Sequence, residues 1–233
     1  MGFVAENIER IRGRIAACAR RCGRAEEEVT LVAVTKTFPA EVVEEAIAAG
    51  QRVFGENRVQ EAESKVASLS GFPGIEWHLI GHLQTNKARL AARLFDFVHS
   101  VDNGRVARRL SEGATAAGRT LAVLVQVDLG EEETKFGAAR ESISALVEAV
   151  RGLPGLQLDG LMTLPPFFDD PEQARPYFRE LRRMRDHLEA VMPGSLGRGA
   201  LSMGMSHDFE VAIEEGATLV RVGTAIFGER HHG

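Results

Sequence analysis

The feature that most constrains the fold is an alternation, repeated eight times, of short apolar segments with segments of helical character. Each apolar segment has the length of a strand, and the residues after it carry apolar positions at helical spacing. Strands that are apolar on both faces are typical of parallel sheets covered by helices on both sides. The predicted strands cover 29–35, 52–55, 76–81, 97–101, 120–129, 156–164, 199–204 and 218–224.

Eight such units predict an α/β protein with a closed (β/α)8 TIM barrel rather than an open doubly wound sheet. The first strand is not followed by the GxGxxG pattern of a dinucleotide-binding fold. Residues 5–22 precede the barrel and carry apolar positions at helical spacing, which predicts an extra N-terminal helix. Because no linker or low-complexity tract interrupts the chain, we expect a single domain over residues 1–233.

Composition narrows the class of protein. The chain has 28 Lys and Arg against 33 Asp and Glu, and this net charge of −5 argues against nucleic acid as a partner. The sequence has no run of 18 apolar residues, so we predict no membrane span. Glu6 and Glu9 lie where a signal peptide would be apolar, so we predict no signal peptide. Cys18 and Cys22 have no matching Cys/His pair, so we interpret them as small helix residues in a reducing compartment. These features predict a cytoplasmic protein, and the absence of an obvious second interface favours a monomer.

Lys36 is the first candidate for a functional residue. It ends the apolar segment "LVAVTK", and functional side chains in TIM barrels lie at the carboxyl ends of the strands. A lysine held away from bulk water loses its proton more readily, so its neutral amine becomes available to form a Schiff base. The alternative is that Lys36 pairs with Glu56 or Asp128, or extends out of the strand end into water.

The segments after strands seven and eight, "SMGMSHD" and "RVGTAIFG", have the character of a phosphate site. Ser206 stands at a predicted N-cap, Gly223 lets backbone N–H groups approach an anion, and Thr224 adds a hydroxyl. Ordinary helix capping by Ser and Thr is the alternative. Together with Lys36, a phosphate site predicts pyridoxal 5′-phosphate (PLP), an amine-reactive aldehyde that carries a phosphate.

Arg221 lies among apolar residues on the eighth predicted strand and suits the nitrogen of the PLP pyridine ring. Because an arginine donates hydrogen bonds and keeps its proton, the ring nitrogen beside it would stay unprotonated. A ring in that state is a weak electron sink, which argues against a dedicated catalyst.

At these residues the sequence resembles a known family. The segments "VAVTKT", "FGENRVQE", "WHLIGHLQTNK", "HSVDN", "GLMTL" and "LSMGMSHDFEVAIEEGATLVRVGTAIFG" resemble the PLP homeostasis proteins, which are related to the barrel domain of the fold type III alanine racemases. The resemblance implies a Schiff base from Lys36 to PLP and Asn57 near the ring. It also implies that Ser206, Gly223 and Thr224 contact the phosphate and that Arg221 contacts the pyridine nitrogen.

The function that the resemblance implies is to bind, buffer and deliver PLP to PLP-dependent apoenzymes, in vitamin B6 homeostasis, with no dedicated enzymatic activity. The chain departs from the family at Phe38, where many relatives have a second lysine. Any transfer of PLP that depends on that second lysine is therefore in doubt. Lys135 resembles a loop lysine of relatives and is an alternative acceptor for PLP.

The main alternative function is a PLP-dependent racemase of the alanine racemase type. Racemisation by two bases needs a second acid or base opposite the lysine, and related racemases take that tyrosine from a second domain. Tyr177 is the only tyrosine of this chain, and we expect it to be a packing residue of the helix predicted over 171–191. The basic cluster of the same helix is expected to pair with Glu180, Asp186 and Glu189, and it is assigned no function.

Three further alternatives have weaker support. A barrel aldolase usually carries its lysine on a later strand than the one before Lys36. A serine hydrolase would need glycine where Asp208 follows "GMSH". A metal site would have to be assembled from histidines on three different strand ends, so we predict no metal. The candidate ligands would be His78, His82, His99 and His207.

Overall fold

The computed structural model describes residues 2–130 and 136–229, and within them eight parallel strands close into a barrel. The strands pair in the order of the sequence, and β8 also pairs with β1, so the sheet has no open edge. The predicted TIM barrel is confirmed. The strands are β1 (Thr30–Val34), β2 (Val53–Glu56), β3 (Glu76–Leu79), β4 (Phe97–Val101), β5 (Leu121–Val127), β6 (Leu156–Thr163), β7 (Ala200–Met205) and β8 (Leu219–Val222).

Helices follow the strands and cover the outside of the barrel. In the part of the chain that is described, they are α1 (Phe3–Arg21), α2 (Ala40–Ala48), α3 (Val59–Ser68), α4 (Ala88–Leu94), α5 (Gly104–Ala116), α6 (Ile143–Arg151), α7 (Arg175–Val191), α8 (Phe209–Glu214) and α9 (Thr224–Phe227). Helix α7 begins later than predicted, after a 3₁₀ turn at Pro171–Ala174. The reason is Pro176, which has no N–H to donate to the carbonyl four residues earlier.

The predicted N-terminal helix, α1, completes the ring of helices. Since α9 is a single turn, a gap would remain on the outside of the barrel between α8 and α2, and α1 packs against all three of these helices. The side-chain amide of Asn7 donates to the carbonyl of Ile226 at 2.8 Å, and Arg14 pairs with Glu210 at 2.9 Å. The buried face of α1 consists of the apolar residues Val4, Ile8, Ile11, Ile15 and Cys18.

The inside and the outside of the sheet form two separate cores, as the period of two along each strand requires. Outward-facing residues pack under the helices in one large cluster, which includes Ala33 and Val220. The inward-facing residues form a smaller cluster inside the barrel. Its buried members are Val32, Phe97, Leu124, Met162, Ala200 and Leu219.

No helix in residues 2–130 and 136–229 is long and apolar enough to span a membrane.

Candidate functional site

The six predicted site residues lie on four neighbouring strands of the barrel. Because β7, β8, β1 and β2 are adjacent in the closed sheet, residues at their carboxyl ends share one sector of the barrel mouth. Lys36 and Asn57 follow β1 and β2, Ser206 follows β7, and Arg221, Gly223 and Thr224 lie on or directly after β8. The fold therefore gathers residues that are up to 188 positions apart in the sequence (224 − 36) into one region.

Lys36 is half-buried in a tight turn between β1 and α2. The carboxylate of Glu56, which the sequence offered as a partner for Lys36, instead contacts Lys65. The Lys65 Nζ lies 2.5 Å from Glu56 Oε1, and the hydroxyl of Thr35 donates to the same oxygen at 2.6 Å. The counter-ion of Glu56 is thus Lys65, which sequence reasoning missed.

Ser206 joins the ends of β7 and β8. Its Oγ accepts hydrogen bonds from the backbone N–H of Gly223 at 3.2 Å and of Ala225 at 3.4 Å, at the start of α9. The prediction that Ser206 caps the helix after β7 is wrong, because Asp208 is the N-cap residue of α8. Thr224, the first residue of α9, is exposed at the barrel mouth.

Gly223 packs closely on β1. A Cβ at this position would lie 3.3 Å from both the Cβ and the carbonyl oxygen of Val34, two residues before Lys36. The absence of a side chain therefore brings the backbone after β8 against the strand that leads to Lys36.

Arg221 begins a chain of hydrogen bonds across the barrel. Its guanidinium is buried and donates to the hydroxyl of Ser202 and, at 2.9 Å, to the carbonyl of Thr163. Ser202 Oγ lies 2.9 Å from His99 Nδ1, and His99 Nε2 lies 3.1 Å from His78 Nδ1. The chain thus links β8, β7, β4 and β3 through the interior.

The direction of this chain follows from the chemistry of its first member. Because arginine has no acceptor, Ser202 accepts from Arg221, and the arrangement that continues the chain has Ser202 give its own proton to His99 Nδ1. His99 then carries its proton on Nε2 and donates to His78. The remaining proton of His78 is on Nε2, which is buried and has no hydrogen-bond partner among the described residues, since Glu76 is 3.7 Å away.

Burial shifts the pKa of each ionisable member of the chain toward its neutral form. It lowers the pKa of Arg221 from 12.5 to about 10, an effect that the charge of Asp208 opposes. Burial also lowers the pKa of His78, and it lowers the pKa of His99 well below 6.5, with smaller contributions from His78 and Arg221. At neutral pH the guanidinium is therefore charged and both imidazoles are neutral.

The opposite sector of the mouth holds aromatic and acidic groups. The ring of Phe136 stacks on His82 with centroids 3.6 Å apart, and His82 Nδ1 lies 3.3 Å from Asp102 Oδ2. Burial raises the pKa of Asp102, and the charge of His82 opposes this shift. Lys135 precedes this Phe136 and lies outside the described residues, so its predicted role stays a prediction.

Comparison with known proteins agrees with this architecture over the whole barrel. The family model of the alanine racemase N-terminal domain matches residues 7–231. A pyridoxal phosphate homeostasis protein of Aquifex aeolicus is 44% identical over 227 residues, which are 97% of this chain and 98% of that protein. The pyridoxal phosphate homeostasis protein of Escherichia coli K12 is 42% identical and covers 100% of this chain and 99% of its own. The chain belongs to the pyridoxal phosphate homeostasis protein family.

A solved structure of the same size supports this assignment. PipY of Synechococcus elongatus PCC7942, with PLP bound, is 39% identical and superposes with a TM-score of 0.85. The match covers 97% of this chain and 100% of PipY. The predicted resemblance to the PLP homeostasis proteins is therefore confirmed.

The lysines of this family member differ sharply in environment. The sequence contains four lysines, of which Lys36, Lys65 and Lys87 lie within the described residues. Lys65 is buried against Glu56, whereas Lys87 is the half-buried N-cap residue of α4. Among the lysines of the described residues, Lys36 is the one that follows directly after a barrel strand, at the carboxyl end where ligands of TIM barrels bind.

The histidines engage partners other than a metal. His78 and His99 contact each other, His82 pairs with Asp102, and His207 Nε2 lies 2.9 Å from the carbonyl oxygen of Asp169. Within residues 2–130 and 136–229, no group of three or more His, Cys, Asp or Glu side chains could hold a metal ion.

The basic cluster of α7 pairs in part as predicted, since Arg185 lies 2.6 Å from Asp186 and Arg183 lies 3.9 Å from Glu180. Arg175, Arg179 and Arg182 do not rely on acids of their own helix but converge on Glu215, at 3.2 Å, 2.8 Å and 3.2 Å. Glu215 follows α8, so the cluster fastens α7 to α8. On the same helix, Tyr177 packs against Phe168 with ring centroids 5.8 Å apart.

Proposed function

We propose that this protein binds PLP covalently through Lys36 and carries it within the cell, as part of vitamin B6 homeostasis, without a dedicated enzymatic activity. The observation that carries the proposal is the placement of Lys36 beside the Ser206–Gly223 junction, on adjacent strands of one barrel mouth. Family membership and the PipY structure with PLP bound support it. We further propose that residues 1–233 act as one PLP-binding domain.

The residues of the mouth fit the chemistry of PLP. The cofactor supplies a reactive aldehyde, a phosphate and a pyridine ring. Lys36 would bond to the aldehyde carbon through its neutral nitrogen, and its two N–H protons would leave with the aldehyde oxygen as water. Asn57, at the end of the neighbouring β2, would contact the ring.

The phosphate would lie at the junction of β7 and β8. Ser206 and Thr224 offer hydroxyl groups there, and the backbone N–H of Gly223, which donates to Ser206 Oγ in this structure, would donate to a phosphate oxygen instead. The close approach of Gly223 to Val34 supports this assignment, because it sets the backbone donors beside the strand that carries Lys36.

Arg221 would hold the pyridine nitrogen and limit catalysis. Two of the five guanidinium donors are used for Ser202 and Thr163, which orients the group and leaves donors for a ligand. With a pKa of about 10, Arg221 keeps its proton at neutral pH, so it donates to the ring nitrogen and does not protonate it. A ring that stays unprotonated withdraws electrons weakly, which favours storage of PLP over chemistry on an amino acid.

The alternative function, a PLP-dependent amino-acid racemase, is favoured by the match to the alanine racemase N-terminal domain. Against it stands the position of Tyr177, whose ring packs on Phe168 at the start of α7. We propose that the protein acts as a cytoplasmic monomer and that PLP-dependent apoenzymes receive its PLP.

The test is to add PLP to the purified protein and to its Lys36→Ala variant. A visible absorption band that only the wild type forms, and that transfers to an aminotransferase apoenzyme on mixing, is the expected result. Wild-type protein that forms no band would overturn the proposal. Racemisation of alanine at about 1 per second or faster would instead establish the alternative.

A further inference from the structure

The backbone on the N-terminal side of Lys36 is held at every polar atom. The N–H of Thr35 donates to the carbonyl of Gly55 at 3.0 Å, and the Thr35 hydroxyl donates to Glu56. The carbonyl of Thr35 accepts from Phe38 N–H at 3.1 Å and from the ammonium of Lys65 at 2.8 Å. Thr35 is fully buried, so each of its polar atoms needs such a partner, and these contacts fix the backbone that leads into the Lys36 turn.

The backbone on the C-terminal side of Lys36 is also held. Thr37 has a φ of 70°, a left-handed conformation that is uncommon for a residue with a branched side chain. Its N–H donates to the carboxylate of Glu61, the residue on α3 that also lies 3.8 Å from Lys65. Such a conformation persists only where the surroundings impose it.

Both restraints come from one cluster, which we call the turn clamp and define as Glu56, Glu61 and Lys65. Glu56 and Lys65 are buried, and Glu56 Oε2 has no hydrogen-bond partner in the described part of the chain. Burial raises the pKa of Glu56, and the hydrogen bonds from Lys65 and Thr35 oppose this shift. A buried ion pair with an unsatisfied oxygen is a poor source of stability, because desolvation offsets most of the attraction.

A role for the turn clamp follows from the chemistry proposed for Lys36. A lysine amine is attached through a flexible chain of four carbons, and a reaction needs the amine within a narrow range of positions. The clamp removes the backbone part of that freedom. It acts through Thr35 and Thr37, the residues on either side of Lys36.

We propose that Glu56, Glu61 and Lys65 are positioning residues, which fix the backbone on both sides of Lys36 so that its amine meets the aldehyde of PLP in a reactive orientation. This inference rests on the proposed function of Lys36. It predicts that the clamp governs how fast the covalent bond forms, whereas the affinity for the phosphate and ring depends on Asn57 and on the β7 and β8 ends.

The experiment compares a covalent and a non-covalent probe in the same variants. Stopped-flow absorbance measures the rate at which PLP forms its Schiff base, and calorimetry measures the affinity for pyridoxine 5′-phosphate, which lacks the aldehyde. For Lys65→Met we expect the covalent rate to fall by about tenfold or more, with analogue affinity changed by less than about twofold. Glu61→Ala removes the contact to Thr37 at a half-exposed site, and we expect a fall of about threefold.

The matched control is Arg198→Met. Arg198 pairs at 2.6 Å with Asp159, another fully buried carboxylate, but it precedes β7 and so lies at the far end of the barrel. The change leaves a buried carboxylate without its cation, although the Arg198 side chain itself is exposed, and it does not touch the turn. Both probes should therefore behave as in the wild type.

The outcomes separate the two proposals. If the wild type forms no Schiff base, the proposed function fails. If the wild type forms one and both Lys65→Met and Glu61→Ala react at the wild-type rate, the turn clamp has no positioning role. The inference is also overturned if the variants lose the analogue in proportion to the covalent rate, since the cluster would then be merely structural. Should Lys65→Met fail to fold, the Glu61→Ala result decides in the same way.

Discussion

The interior of the barrel changes from apolar to polar within two residues along a strand. On β4, β7 and β8 the first inward-facing residue belongs to the apolar interior cluster, and the next inward-facing residue belongs to the hydrogen-bonded chain. The three pairs are Phe97 and His99, Ala200 and Ser202, and Leu219 and Arg221. Both layers are buried to a similar degree.

This difference shows that the inward-facing side chains of one strand have two separate roles, which are stability of the fold and formation of the candidate site. We call the apolar interior cluster the lower layer and the hydrogen-bonded chain the upper layer. Burial of apolar surface in the lower layer stabilises the fold by about 25 cal/mol per Å². In the upper layer, the same burial removes charged and polar groups from water, which costs free energy unless each finds a partner. The lower layer therefore stabilises the fold, whereas the upper layer provides the polar groups of the candidate site.

The largest effect on stability should come from the lower layer. Leu124 is fully buried in the interior cluster. We expect Leu124→Ala to lower the free energy of unfolding by about 2–5 kcal/mol, because a cavity remains where the side chain was. Urea unfolding measures this loss. PLP binding by the protein that stays folded should be unchanged, and a matching loss of PLP affinity would contradict the division into two layers.

A smaller effect should appear on acidification and should come from the upper layer. In the folded protein burial lowers the pKa of His78 and of His99 below 6.5, so the unfolded chain binds protons more readily. This contribution to stability is complete above about pH 6.5 and is lost as the pH falls toward the folded values. Groups that face the pair are Glu76, Asp96 and Arg198 beside His78, and Arg221 beside His99.

His99→Gln checks this assignment, since glutamine keeps hydrogen-bonding groups but does not titrate. We would compare the thermal unfolding of wild type and variant at about pH 7.5 and about pH 5.5. These two values lie on either side of the ordinary histidine pKa of about 6.5. The variant should lose less stability between the two values. An equal loss in both proteins would place the sensitivity elsewhere.

The smallest stability effect is expected at the barrel mouth. Ser206→Ala removes the acceptor for the N–H groups of Gly223 and Ala225 and should cost about 1 kcal/mol. The same change should weaken binding of PLP by about tenfold while leaving binding of pyridoxal, which has no phosphate, nearly unchanged. Equal weakening for both compounds would remove Ser206 from the phosphate site.

Much of the fold could be predicted because its signals are local. The strand-length apolar runs and the Gly and Pro residues between them were enough to place all eight strands, and Lys36 was recognisable because a charge ends an apolar run. The start of α7 was missed, although Pro176 carried the signal.

The partners within the site could not be predicted, because register and closure of the barrel decide them. Ser206 serves the helix after β8 and not its own, and His99 meets Ser202 from 103 residues away. Glu56 was considered as a partner for Lys36 and not for Lys65, although Lys65 shares the helical spacing of the buried residues Val59 and Ala62. The candidate residues of the site could be proposed from the sequence, whereas the contacts that orient them depend on the pairing of the strands.

The central claim is that Lys36 is the residue that takes PLP. The most direct test is to load the wild-type protein with PLP, reduce it with borohydride and locate the added mass by peptide mass spectrometry. With four lysines in the sequence, each site can be resolved. We predict the pyridoxyl mass on Lys36 and none on Lys65 or Lys87, and its loss in Lys36→Ala. Modification of another lysine in the wild type, with Lys36 unmodified, would contradict the account.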